Sequence, residues 1–294
     1  MDEQKVELRK IRDFSDNLND TILFIRQNLK PLLTCFVTIA GAFMLTSAIL
    51  TGLYQNQWGS LIQDILNRKN TRTTGAVNMF NGSFFLVLIF AWLNYVAMQV
   101  VVISYVKVYE LKNGKMPLIG EVWDVFKKYF LKVFFYSIPI SILTALGFFL
   151  CLFPGIYLAV VFVPFFAVLI VEDRPFGEAY SRCLKLIKDN FWISFGIYIL
   201  TYLIAYFCGG IISLVLGSIT GLISYFTTRD IDTTVVLIDA IINIFAFIFY
   251  IFYYVAVCMH YFNLSEKYDG IGMMRKLDSI GGNDQDFDNT KEQY

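Results

Sequence analysis

The sequence predicts an all-α polytopic membrane protein of six transmembrane helices, arranged as three hairpins, each preceded by an amphipathic interfacial helix. Three observations point there. Hydrophobic residues make up 57% of the 294-residue chain and charged residues 16%, against about a quarter charged in a soluble domain. The apolar residues gather into six long runs. The basic residues gather in alternate connections between those runs.

The runs are 32–53, 84–106, 133–153, 156–171, 191–216 and 235–261. A helix needs about 20 apolar residues to cross a bilayer, and five runs have them. The fourth holds 16 residues with Pro164 at its middle. Pro154 and Gly155 separate it from the third run, which predicts a tight turn there. Two helices folded back on each other is the simplest reading; a re-entrant pair that does not cross is the alternative. Residues 1–30 carry six Lys/Arg and lead into an apolar run too long for a signal-peptide core, so the first span is expected to be retained.

Charge sets the orientation. Of 24 Lys and Arg, 20 lie in 1–30, 107–132, 172–190 and 263–294. Basic residues concentrate in cytoplasmic connections, so these segments, and both termini, are expected in the cytoplasm. The other face keeps one sizeable connection, 54–83, a bare turn between the third and fourth runs, and the Gly/Ser/Thr-rich segment 217–234.

A similar segment precedes each hairpin. Ile22, Ile25 and Leu29 flank Arg26; Trp123, Phe126 and Phe130 flank Lys127 and Lys128; Leu184, Ile187 and Phe191 flank Lys188. Apolar residues at i, i+3 and i+7 predict a one-sided helix in the headgroup layer, the first over about 14–30. Arg26, Lys127, Lys128, Lys185 and Lys188 are the expected contacts to lipid headgroups. The pattern reads as three copies of one unit, with any juxtamembrane amphipathic helix as the simpler reading. Residues 1–281 form a single membrane domain in this reading. Ile271, Met274, Leu277 and Ile280 predict a short amphipathic helix, and 282–294 is an acidic tail too polar to order itself.

Few residues offer chemistry. The five cysteines show no CxxC spacing, and His260 is the one histidine. No disulfide framework, metal site, cofactor or catalytic set is expected. The formal net charge of +0 gives nothing that attracts nucleic acid. Asp239 is the one carboxylate well inside an apolar run, and Asn243 lies one helical turn on. They read either as a cation or proton site or as a hydrated pair near the interface. Glu172, Asp173, Arg174, Glu178 and Arg182 cluster after the fourth run, as a polar site or as helix capping with a surface ion pair. Tyr198, Tyr202 and Tyr206 stripe one helix face, for packing or for an aromatic-lined cavity. His260 is expected as an interfacial anchor.

Pro154-Gly155-Ile156-Tyr157, the run from Val171 to Ala179, Arg182 and Lys188-Asp189-Asn190-Phe191-Trp192 resemble the membrane domain associated with some bacterial glycerophosphoryl diester phosphodiesterases. The segments 266–272 and 278–281 look like the version found in Bacteroidota. The resemblance runs from about 117 to 281. It implies a bacterial inner-membrane location. The phosphodiesterase barrel of that family uses paired histidines and a metal; a chain with one histidine has neither, so the activity does not carry over. The expectation is a non-enzymatic integral inner-membrane protein acting on membrane lipids or other membrane proteins, as a scaffold or in envelope homeostasis. The alternative is a small-solute or ion-coupled transporter using Asp239 and Asn243.

Overall fold

The computed structural model describes residues 5–66, 82–227, 233–274 and 277, except the side chains of 55–66, 221, 223–227, 233–237, 239 and 240. Among these residues the secondary structure is helical: α1 (Phe14–Leu66), α2 (Gly82–Leu111), α3 (Ile119–Leu150), α4 (Leu152–Phe162), α5 (Phe165–Val171), α6 (Phe176–Lys188), α7 (Phe191–Thr227), α8 (Thr233–Ile248) and α9 (Tyr250–Asp269). Six stretches are long and apolar enough to cross a membrane: Phe14–Tyr54, Gly82–Leu111, Ile119–Leu150, Leu152–Val171, Phe191–Thr220 and Ile241–Asp269. The chain is an integral membrane protein of the expected class. Its hairpins are α1–α2, α3–α4 and α7–α8, and α9 runs through the middle against α1, α2, α5, α6 and α7.

Burial explains which helices are central. Val96–Val106 of α2 and Tyr254–Glu266 of α9 are buried at every position. Both stretches are largely apolar all round, and a helix without a polar face has to be enclosed by protein or lipid. The short α5 is likewise buried from Phe165 to Ile170, whereas α1 is buried along one stripe, at Phe24, Leu32, Phe36, Ala40 and Met44.

Several boundaries differ from the sequence reading, each for a local reason. The first two basic segments run into their spans without an elbow: α1 continues through Pro31 and α3 through Pro139. A proline removes one helix bond, and neighbouring helices or side chains can meet the freed carbonyl. Only the third segment, α6, is a separate helix. The turn of the second hairpin is at Cys151 alone, not at Pro154–Gly155. Pro154 sits in the first turn of α4, where its missing N–H is not needed. Pro164 splits the fourth span into α4 and α5, and Phe249 divides α8 from α9. The segment 217–234 is helical as far as Thr227. Gly270, at φ +65°, ends α9 in the left-handed conformation that favours glycine. A turn of helix follows at 271–274; the expected tail, 282–294, lies outside the described residues.

The two described ends of the chain, around residues 5–13 and 263–274, meet on one face, the terminal face. Residues 5–13 form a strap across it, with Val6, Leu8 and Arg12 buried. Arg12 donates from Nε to Asp20 at 2.7 Å, from Nη1 to Leu8 O at 2.7 Å, and from Nη2 to Glu7 O. Glu266, also buried, accepts from the backbone N–H of Gly272 and Met273 at 2.8 and 2.9 Å. A carboxylate there complements the start of the 271–274 turn.

Candidate functional site

Inside the membrane span the helices part between α2, α3 and α4. Trp92 of α2 reaches across, its Nε1 donating to Ser137 Oγ of α3 at 2.8 Å, and Ser137 donates to Phe134 O at 2.7 Å. Beyond that bridge lies a cavity of about 590 Å³. Gln99, Ser137, Ser141 and Thr144 give it a polar edge; Ala159 and Phe162 of α4, with Val163 just after it, form an apolar wall. Trp92 and Tyr95 at its rim are 36% and 46% exposed, so it opens sideways out of the helix bundle. Thr144 satisfies its hydroxyl on Ile140 O at 2.8 Å. Gln99 is 4% exposed, and its Oε1 has no hydrogen-bond partner among the described residues. An unmet buried acceptor costs about 1–3 kcal/mol.

The terminal face holds the second polar constellation. Arg182, on the inner side of α6, donates from Nε to Glu172 Oε1 at 3.2 Å and from Nη2 to Asp269. Tyr261 OH donates to the same Glu172 oxygen at 2.9 Å, Ser265 Oγ donates to Asp269 at 3.1 Å, and Arg174 pairs with the other Glu172 oxygen. Tyr268 lies under the Arg182 guanidinium at 5.1 Å. Burial works against the Arg182 charge, but Asp269 and Glu172 outweigh it and raise its pKa. Burial pushes the neighbouring Cys183 thiol up, and Glu172 adds to it. This network ties α5, α6 and α9 together at the membrane surface.

Asp173 turns the other way. It sits at φ +52° and accepts from Lys128 Nζ at 2.7 Å. That bond, and a second from Tyr129, pull its pKa down to about 2. Lys107, Lys128 and Lys132 lie around the Tyr129 ring at 4.9, 4.9 and 5.6 Å. Lys107 also donates to Ile170 O at 2.5 Å, placing a cation at the carbonyl end of α5.

Of the residues read from sequence, Glu172, Arg174 and Arg182 come together, Asp173 joins Lys128, and Glu178 is 64% exposed at 3.9 Å from Arg174. Asp269, Tyr261 and Ser265 were not foreseen in this network. Their position at the same end of the last span as Glu172 in the fourth was the available signal. Tyr198 and Tyr202 serve helix packing: Tyr198 stands edge-on to His260 at 5.3 Å, and Tyr202 packs on Tyr253 and Tyr206 at 5.7 and 6.2 Å. The Asp239 side chain lies outside the described residues, and Asn243 is half-buried on α8.

His260 is not an interfacial anchor. It is fully buried, with Nε2 at 2.8 Å from Ser194 Oγ, and Ser194 already donates to Asn190 O. Arg26, Lys127, Lys128, Lys185 and Lys188 are all exposed. The apolar residues beside them differ in surroundings. Ile22 and Leu29 are 55% and 53% exposed, whereas Ile187 is fully buried. The apolar side of α6, formed by Ala179, Cys183, Leu186 and Ile187, is enclosed in the protein core rather than turned to lipid.

The cavity itself was missed. Ser137, Ser141 and Thr144 recur at spacings of four and three, one helix face, and that stripe of small polar residues within an uncharged run was its signal. No protein-family model matches the chain, and neither does any curated protein or any solved structure.

Proposed function

We propose that this chain is a non-enzymatic protein of the bacterial inner membrane that works by holding a lipid chain, with both termini in the cytoplasm. The observation that carries the reading is the sideways-open cavity between α2, α3 and α4. Its volume of about 590 Å³ falls within the range of about 300–1,000 Å³ of small-molecule sites. Tyr95 and Ala145, which line it, are exposed, among apolar side chains that a membrane covers with acyl chains. The orientation rests on the 20 basic residues in the segments 1–30, 107–132, 172–190 and 263–294. On that face Arg26, Lys127, Lys128, Lys185 and Lys188 stand where anionic headgroups lie, each contributing about 1 kcal/mol near such a surface.

Native mass spectrometry of the protein released from mild detergent tests the reading. Ala145→Phe and Ala159→Phe fill the cavity from two sides without touching the terminal face. Both are expected to lose a bound lipid that the wild type retains. Equal lipid retention in wild type and both variants would overturn the cavity as the seat of function.

A further inference from the structure

The second hairpin ends in an apolar tip. Phe149, Leu150, Leu152 and Phe153 are 88%, 79%, 62% and 79% exposed, and the cysteine between them, Cys151, is exposed too. No charged residue and no histidine occurs between Lys132 and Glu172, 39 residues centred on this tip.

We infer that the tip of the α3–α4 hairpin does not emerge into water on the far side but stays lodged among the lipid chains of the far leaflet. Length is the first reason. From Lys132, on the terminal face, to Cys151 is 19 residues, about 28 Å of helix, and the hydrocarbon core is about 30 Å thick. The return, Leu152–Val171, is 20 residues and reaches the terminal face at Glu172. By contrast α7 runs 37 residues from Phe191 to Thr227, about 55 Å, enough to pass the far interface.

Continuity is the second reason. Phe135, Ile138, Ile142, Leu146 and Phe149 are exposed along one face of α3. This is the surface an integral membrane protein turns to lipid, and it runs into the tip without a polar residue to mark an edge. The third reason is the backbone. Irregular peptide exposed to hydrocarbon is costly because its polar groups find no partner. Here it is cut to one extended residue, Cys151, with φ −168° and ψ 148°. The Cys151 N–H donates to Gly147 O at 3.0 Å, and Cys151 O accepts from Gly155 N–H at 3.3 Å. Pro154 has no N–H to satisfy. The helices close this tightly because glycines face each other: a Cβ on Gly147 would lie 3.1 Å from the Gly155 Cα.

The inference does not depend on the cavity binding lipid. Cys151 supplies the probe. In a Cys208→Ser chain, with Cys35, Cys183 and Cys258 buried, an environment-sensitive fluorophore is attached to Cys151 in detergent. The protein is then reconstituted into phosphatidylcholine–phosphatidylglycerol vesicles. Lipids brominated on their acyl chains are expected to quench it several-fold more than iodide present on both sides of the membrane. Stronger quenching by iodide would place the tip in water and overturn the inference. Protection from both quenchers would mean that protein covers it, and would overturn it equally. If Cys208→Ser does not fold, Cys208→Ala removes the same second thiol and gives the same readout.

Discussion

Asn263 holds both backbone polar groups of Arg12: its Oδ1 accepts from the Arg12 N–H at 2.9 Å and its Nδ2 donates to the Arg12 carbonyl at 3.0 Å. The contact joins the N-terminal strap to the last helix across 251 residues of sequence, and every atom of it is buried. Asn263→Ala leaves a buried N–H and a buried carbonyl without partners, at about 1–3 kcal/mol each. The variant is expected to unfold at lower temperature in detergent and to be cleaved by trypsin at Arg9, Lys10 or Arg12 well before the wild type. A strap as resistant as in the wild type would mean that the remaining Arg12 bonds hold it unaided.

Arg182 is the cation shared by Glu172 and Asp269 and is 8% exposed. Arg182→Ala leaves two carboxylates facing each other without it, and breaking a buried pair in this way costs about 3–5 kcal/mol. Glu172→Gln should cost less, because Gln still accepts from Tyr261 and Asp269 still neutralises Arg182. Thermal unfolding of the two variants gives the order, and a reversed order would make Tyr261 rather than Arg182 the centre of the network.

Two glycines make a controlled pair. A Cβ on Gly155 would stand 2.7 Å from the Phe148 Cα, whereas a Cβ on Gly210 meets nothing within 4 Å. Gly155→Ala is expected to push the second hairpin apart and destabilise by about 1–3 kcal/mol. Gly210→Ala, in mid-helix, is expected to stabilise by up to about 1 kcal/mol. Equal unfolding temperatures for the two variants would show that the hairpin relaxes freely.

Acid should loosen one contact in a defined window. Asp173 titrates at about 2 in the folded protein, chiefly through its bond from Lys128, against about 3.9 in an unfolded chain. A depressed carboxylate pKa contributes its full stability above pH 4, and this is lost as pH falls from about 4 to about 2. Both partners are about half exposed, so the contribution is below about 1 kcal/mol. Lys128→Met should flatten this part of the stability profile, and an unchanged profile would assign the acid sensitivity elsewhere.

The class of fold and the three hairpins were legible because apolar run length and basic charge act through the membrane, a solvent the sequence addresses directly. Helix ends were less so. Proline was read as a stop at 154, yet Pro154, Pro31 and Pro139 all lie within helices. A proline's effect depends on whether its neighbours can use the freed carbonyl. Glu172 and Arg182 were legible as a cluster since ten residues separate them, but Asp269 lies 87 residues beyond Arg182. Only packing of α9 against α6 brings it there. The amphipathic pattern of α6 was read correctly in spacing and not in direction, because one apolar stripe can face lipid or protein alike.

The one-residue connection at Cys151 also bears on how the chain is made. Each residue from 133 to 171 can enter the hydrocarbon without a charge to move across it, whereas an aspartate, lysine or arginine at mid-membrane costs about 2.5–3.5 kcal/mol on the insertion scale. In the sequence reading the first and third hairpins export connections that hold Arg68, Lys69, Arg72 and Arg229. The second has no such cargo, so its two helices can leave the translocon together as a closed pair, with the Gly147–Gly155 contact already formed.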